Sequence, residues 1–135
     1  MRVMEIVKWL LRLTAAIIML QTLYFKFTAQ PESVYIFSTL GMEPWGRLGA
    51  GATELVASIL LLIPATTWMG ALAGAGVMAG AIGSHLTLLG IEVQGDGGQL
   101  FLLAVIVFLS CGILLYLHRT EILSFIERYV KRKSH

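Results

Sequence analysis

Four side chains carry most of the chemistry open to this sequence: Lys26, Arg47, Glu54 and His85. Glu54 is the only acid in the run 46–63, which is otherwise small or apolar apart from Arg47 and two hydroxyl residues and is closed by Pro64. A carboxylate at membrane depth costs a few kcal/mol or more, so it faces protein or a water-filled space and has a partner. Lys26 ends one neighbouring apolar run and His85 lies in another. If Thr28, Gly46 and Gly90 mark the outer ends of their runs, Lys26 lies roughly 3 Å, His85 roughly 7 Å and Glu54 roughly 12 Å below that edge at 1.5 Å per residue. Arg47 sits almost at the edge itself. Two readings stay open. One is an outward-facing polar pocket with Glu54 at its centre and Lys26 and His85 as partners. The other is a satisfied Glu54–Lys26 or Glu54–His85 pair that only fixes helix register.

Other chemistries find no residues. One intramembrane histidine and one glutamate do not make a closed metal site. Haem held by two histidines fails because His85 and His118 fall near opposite sides. The loop 91–98 has too few acids, at the wrong spacing, for calcium and reads as a solvated turn. No nucleophile–base motif or phosphate loop is present, so no catalytic residue is assigned and the isolated chain is not expected to be an enzyme. Neither haem nor metal is expected.

The elements that must position these residues are membrane helices. Hydrophobic residues make up 57% of the 135 and charged residues 13%, against about 25% charged in soluble domains. The single cysteine, Cys111, lies inside an apolar run and reads as a small buried hydrophobe. The expectation is an all-α, integral-membrane four-helix bundle in one domain over 1–135. Its spans lie at about 8–28, 46–64, 68–90 and 99–118, with short amphipathic interfacial helices at about 31–41 and 120–132. Arg12 interrupts the first apolar run, which argues for a retained span over a cleaved signal peptide.

Helical spacing then groups the side chains. Arg12, Ala15, Met19, Thr22 and Lys26 share one face of the first span. Arg12 is about one turn inside Trp9 and is expected to snorkel to the near interface. Arg47, Ala50, Gly51, Glu54, Ala57 and Ser58 form a small, polar stripe on the second. Gly70, Gly74, Met78, Ala81 and His85 share a face of the third. There Gly70-x-x-x-Gly74 and Gly76-x-x-x-Gly80 lie on different sides, so neighbours are expected to pack on both. In the tail, Ile122, Phe125, Ile126, Tyr129 and Val130 follow the pattern of an amphipathic helix. Arg128, Lys131, Arg132 and Lys133 suit it to an anionic membrane surface. The basic residues gather toward the two ends of the chain rather than over a soluble surface, which gives no reason to expect nucleic acid. By the positive-inside rule they predict a multi-pass protein of a bacterial-type inner membrane with both termini cytoplasmic.

Ordered motifs connect these stretches. Leu40-Gly41-x-x-Pro44, Gly51-Ala52-x-Glu54-Leu55, Leu60-Leu61-Leu62-x-Pro64, Gly70-Ala71 and Met78-x-Gly80-Ala81-x-x-x-His85 occur in sequence after Lys26. The set resembles the DoxX and DoxX-like family over most of residues 8–117. The resemblance implies a small four-span membrane protein and matches Lys26, Glu54 and His85 to the family's intramembrane polar positions; the tail from Arg119 lies outside it. Named members are associated with quinone-linked sulfur oxidation and with membrane oxidoreductase assemblies, and distant relatives with maturation, export or receptor assembly. The expectation it supports is an accessory subunit of a quinone-linked redox system, with a redox or assembly partner protein, the lipid bilayer around it and a homo-oligomer allowed. The alternative is a non-catalytic assembly scaffold. A small proton-linked transporter comes third, since no broken helix or inverted repeat is evident.

Overall fold

A computed structural model describes residues 2–134. Every regular element in it is helical, and no strand occurs among the described residues. Helix α1 covers Arg2–Phe27, α2 Pro31–Thr39, α3 Trp45–Leu62, α4 Thr67–Ser84, α5 Gln99–Leu117 and α6 Arg119–Lys133. A short 3₁₀ turn, Pro64–Thr66, precedes α4, and a wider π-type turn, His85–Leu89, continues it. Among the described residues two stretches are long and apolar enough to cross a membrane, Pro64–Leu89 and Gln99–Leu117.

Local chemistry sets the ends. Proline opens α2, where its missing N–H would have no partner anyway, and Glu32 follows in the first turn. Ile63 is extended because it precedes Pro64, and α3 stops there. The wide turn after Ser84 closes on Gly90 at a φ of 79°, a left-handed value that glycine adopts without steric cost. Helix α1 starts well before the apolar run, because Arg2, Glu5 and Lys8 continue the same helix outside it.

The four long helices pack in a cycle: α1 on α3, α3 on α4, α4 on α5 and α5 back on α1. Their shared core holds Ala15, Met19, Ala57, Leu61, Ala71, Val107, Cys111 and Leu114, all essentially without solvent contact. Gly70 makes the tightest helix contact. A Cβ there would lie 2.6 Å from the Leu61 nitrogen and 2.7 Å from the Ala57 oxygen, so α3 and α4 meet backbone to backbone. Gly74 faces the Cys111 sulfur in the same core. The other glycine pair departs from expectation. A Cβ on Gly76 or Gly80 would meet no atom within 4 Å, so no helix packs on that side.

Arg12 also departs from expectation. It is buried instead of snorkelling, at 5% exposure. Its Nε donates to the Leu61 carbonyl at 2.6 Å and its guanidinium stacks 3.6 Å from the Trp9 ring centroid. The physical reason is the end of α3. The last carbonyls of a helix have no partner within it and carry the negative end of its dipole, so they attract a cation. Thr66 and Thr67 add hydroxyl donors to Leu60 and Leu61 at 2.9 and 3.2 Å.

Candidate functional site

The Lys26 end of the bundle is built differently from the core below it. Small residues on α3 and α4 keep the helices from filling the space above Met19 and Met78. A cavity of about 700 Å³ occupies it. Phe25, Ile36, Phe37, Ala50, Ala81, Leu100 and Leu103 give it apolar walls, and Thr22, Lys26, Ser33, Glu54, Ser84 and His85 supply polar groups. That volume and that mixture fit a small-molecule site.

Glu54 is 2% exposed. Lys26 Nζ lies 3.2 Å from its Oε2, and Thr22 Oγ1 lies 3.1 Å from the same oxygen. The Thr22 hydroxyl is also 2.9 Å from the Met19 carbonyl, so its one proton serves one acceptor at a time. Ser58, one turn along α3, donates to the Glu54 carbonyl at 2.8 Å. Two residues of α1 therefore meet one carboxylate of α3, and the ammonium and carboxylate cancel in charge.

His85 lines the cavity from the start of the π-type turn after α4 and does not reach the pair. Its Nδ1 is 2.9 Å from the Gly90 carbonyl, and its ring meets Phe101 edge-on at 5.6 Å. A carbonyl only accepts, so Nδ1 carries the proton, and in the neutral ring Nε2 is left as an acceptor. The π-type turn beginning at His85 is what swings the chain back to offer Gly90.

Arg47 belongs to a different cluster. Depth counting places it at the surface, but it is 6% exposed. Its Nε donates to both Glu43 oxygens, at 2.8 and 3.0 Å, and its Nη1 donates to the Lys26 carbonyl. The cause is the corner before α3: Glu43 folds over the arginine, and the end of α1 offers an unpaired carbonyl. Arg47 thus holds the backbone of Lys26 without lining the cavity.

Three features escape a reading of the sequence. The wall contributed by α2 through Ser33, Ile36 and Phe37 has no motif. The Thr22 contact has a signal, since Thr22 shares the Lys26 face of α1. The loop 91–98 is more than a solvated turn. The Asp96 carboxylate accepts from the backbone N–H groups of Val93, Gly98 and Leu100 at 3.0, 2.8 and 3.2 Å and so caps α5. Desolvation pushes its carboxyl upward, but these three donors hold it below the usual aspartate value.

No group of three or more metal-ligating residues occurs among the described residues. Arg128, Lys131, Arg132 and Lys133 all lie exposed on α6, none of them on the cavity wall. Comparison with curated proteins and with solved structures gives no match. The DoxX family model matches residues 7–88, more than half the chain, and that segment includes Lys26, Arg47, Glu54 and His85. The chain belongs to the DoxX family.

Proposed function

We propose that this protein is an accessory, non-catalytic subunit of a membrane redox system and that it binds a small apolar ligand with a neutral polar head, of the quinone class, in the cavity beside Lys26 and Glu54. The observation that carries this is the cavity itself. A pair that served only to fix register would be packed over, whereas here about 700 Å³ of mainly apolar wall surrounds it. The charge-balanced pair favours a neutral head, because an ionic one would leave net charge in a dry site. The ammonium can donate to a carbonyl oxygen, and His85 Nε2 can accept from a hydroxyl.

In this proposal α1, α3, α4 and α5 all cross a bacterial-type inner membrane, with both termini cytoplasmic and the cavity facing outward. The many large apolar side chains on the outside of the helices, Ile17, Val56, Leu72, Leu102 and Leu109 among them, support it. Helix α6 then rests on the anionic cytoplasmic leaflet through Arg128, Lys131, Arg132 and Lys133.

Trp45 borders the cavity and supplies a test. Titrating the purified protein, with Trp9 and Trp68 replaced by phenylalanine so that Trp45 alone of its tryptophans emits, in nanodiscs with decylubiquinone is expected to quench that fluorescence saturably, and Glu54→Gln to weaken the effect. Quenching that rises linearly without saturating would rule the site out. The scaffold reading keeps one observation in its favour: Lys26 and Glu54 satisfy each other without a ligand. It expects Glu54→Gln to alter stability or partner recovery while quenching is unchanged.

A further inference from the structure

We infer that the ligand reaches the cavity sideways, from within the bilayer, through the gap between α3 and α4, and that it carries an alkyl or isoprenoid tail which stays in that gap. This rests on the ligand reading above and adds the route and the tail.

The cavity is closed at its floor and its roof. The core residues Met19 and Met78 form its floor. Helix α2 packs on α1, on α3 and on the His85–Leu89 turn, and so roofs the Lys26 end. Between α3 and α4 the situation differs. These helices meet backbone to backbone at Gly70, and nearer the Lys26 end Gly49 and Thr53 of α3 and Gly76 and Gly80 of α4 are all exposed cavity-lining residues. A Cβ added to any of the three glycines would meet nothing within 4 Å. A gap between two helices, without side chains to fill it and leading to a buried neutral ion pair, suits a flexible hydrocarbon chain. A water-soluble ligand would have no use for a mouth placed at hydrocarbon depth, so the occupant is one already dissolved in the membrane.

The test compares two probes, decylubiquinone and its tail-less parent, 2,3-dimethoxy-5-methyl-1,4-benzoquinone, by saturable quenching of Trp45 in nanodiscs. Gly80→Phe and, separately, Gly76→Phe fill the gap. At both sites an added Cβ meets nothing within 4 Å, and helix content and melting temperature report whether each variant folds. Gly112→Phe, on α5 and away from the cavity, is the control. The expected result is that both gap variants weaken decylubiquinone by about tenfold or more while the tail-less probe changes by less than about twofold. Gly112→Phe should affect neither. Decylubiquinone bound as tightly by both gap variants as by the wild type would overturn the lateral route while leaving the ligand reading intact. Absence of saturable quenching by either probe in the wild type would instead remove the ligand reading, and the route with it.

Discussion

Lys26 is held at both its ends: its ammonium lies 3.2 Å from Glu54 Oε2, and its backbone carbonyl accepts from Arg47. The last turn of α1 is thereby tied twice to α3, once through a side chain and once through the main chain. Four charged residues are arranged as two neutral pairs, Lys26 with Glu54 and Arg47 with Glu43. The first borders the cavity, and the second closes the corner between α2 and α3.

Breaking the first pair from one side leaves a buried charge alone. Glu54→Ala and Lys26→Met are each expected to lower stability by about 3–5 kcal/mol, and the double variant by clearly less than the sum. Thermal unfolding of the four proteins in one detergent measures the cycle. Strict additivity would show that the two side chains do not interact.

The contact at Gly70 is equally specific. Gly70→Ala puts a methyl against backbone atoms that cannot rotate away, and a loss of about 1–3 kcal/mol is expected. Gly112→Ala has open space and should be neutral or better, since replacing glycine in a helix gains about 0.5–1 kcal/mol. Melting temperatures of the two variants should therefore move in opposite directions or differ widely. Equal shifts would contradict the backbone contact.

Asp96 gives a pH dependence with a definite sign. Its carboxyl is held below its ordinary value in the folded protein, so its stabilisation is fully present above the unfolded-state value of about 3.9. It is lost as pH falls through the lower folded value. Asp96→Asn should melt below the wild type at pH 7, with the gap narrowing below about pH 4. A gap that stays constant down to pH 3 would assign the effect to something other than charge.

Arg12 is expected to matter as a helix cap. Arg12→Met removes a charged hydrogen bond to Leu61, and a cost of about 1–3 kcal/mol follows. Arg12→Lys should recover little of it, because a lysine has no planar group to lie on Trp9 while donating from Nε. Full recovery by lysine, read from melting temperatures, would reduce the role of Arg12 to its charge.

Much of this was legible in the sequence because helical spacing is a strong signal. The all-α class follows from it, as do the faces carrying Arg12 to Lys26 on α1 and Arg47 to Ser58 on α3. What spacing leaves out is the partner across a contact. Arg12 near a run's end has two options, water or a neighbouring helix terminus, and only the placement of Leu61 decides between them. Depth counting puts Arg47 near the edge of its helix but carries no information on what covers that edge, which here is Glu43. The second glycine pair on α4 marks close approach in one context and empty space in another, and its spacing is identical in both. Asp96 looks like any turn residue until the N–H groups of Val93, Gly98 and Leu100 are seen to converge on it.

The meeting of α3 and α4 at Gly70 has a mechanical consequence. Gly80 stands ten residues along α4, roughly 15 Å from that contact at 1.5 Å per residue. Each degree of change in the α3–α4 crossing angle about it would shift Gly80 by roughly a quarter of an ångström. A change of angle about this tight spot would therefore be felt most where the cavity lies and least in the core, and the packing of α4 on α5 opposes it.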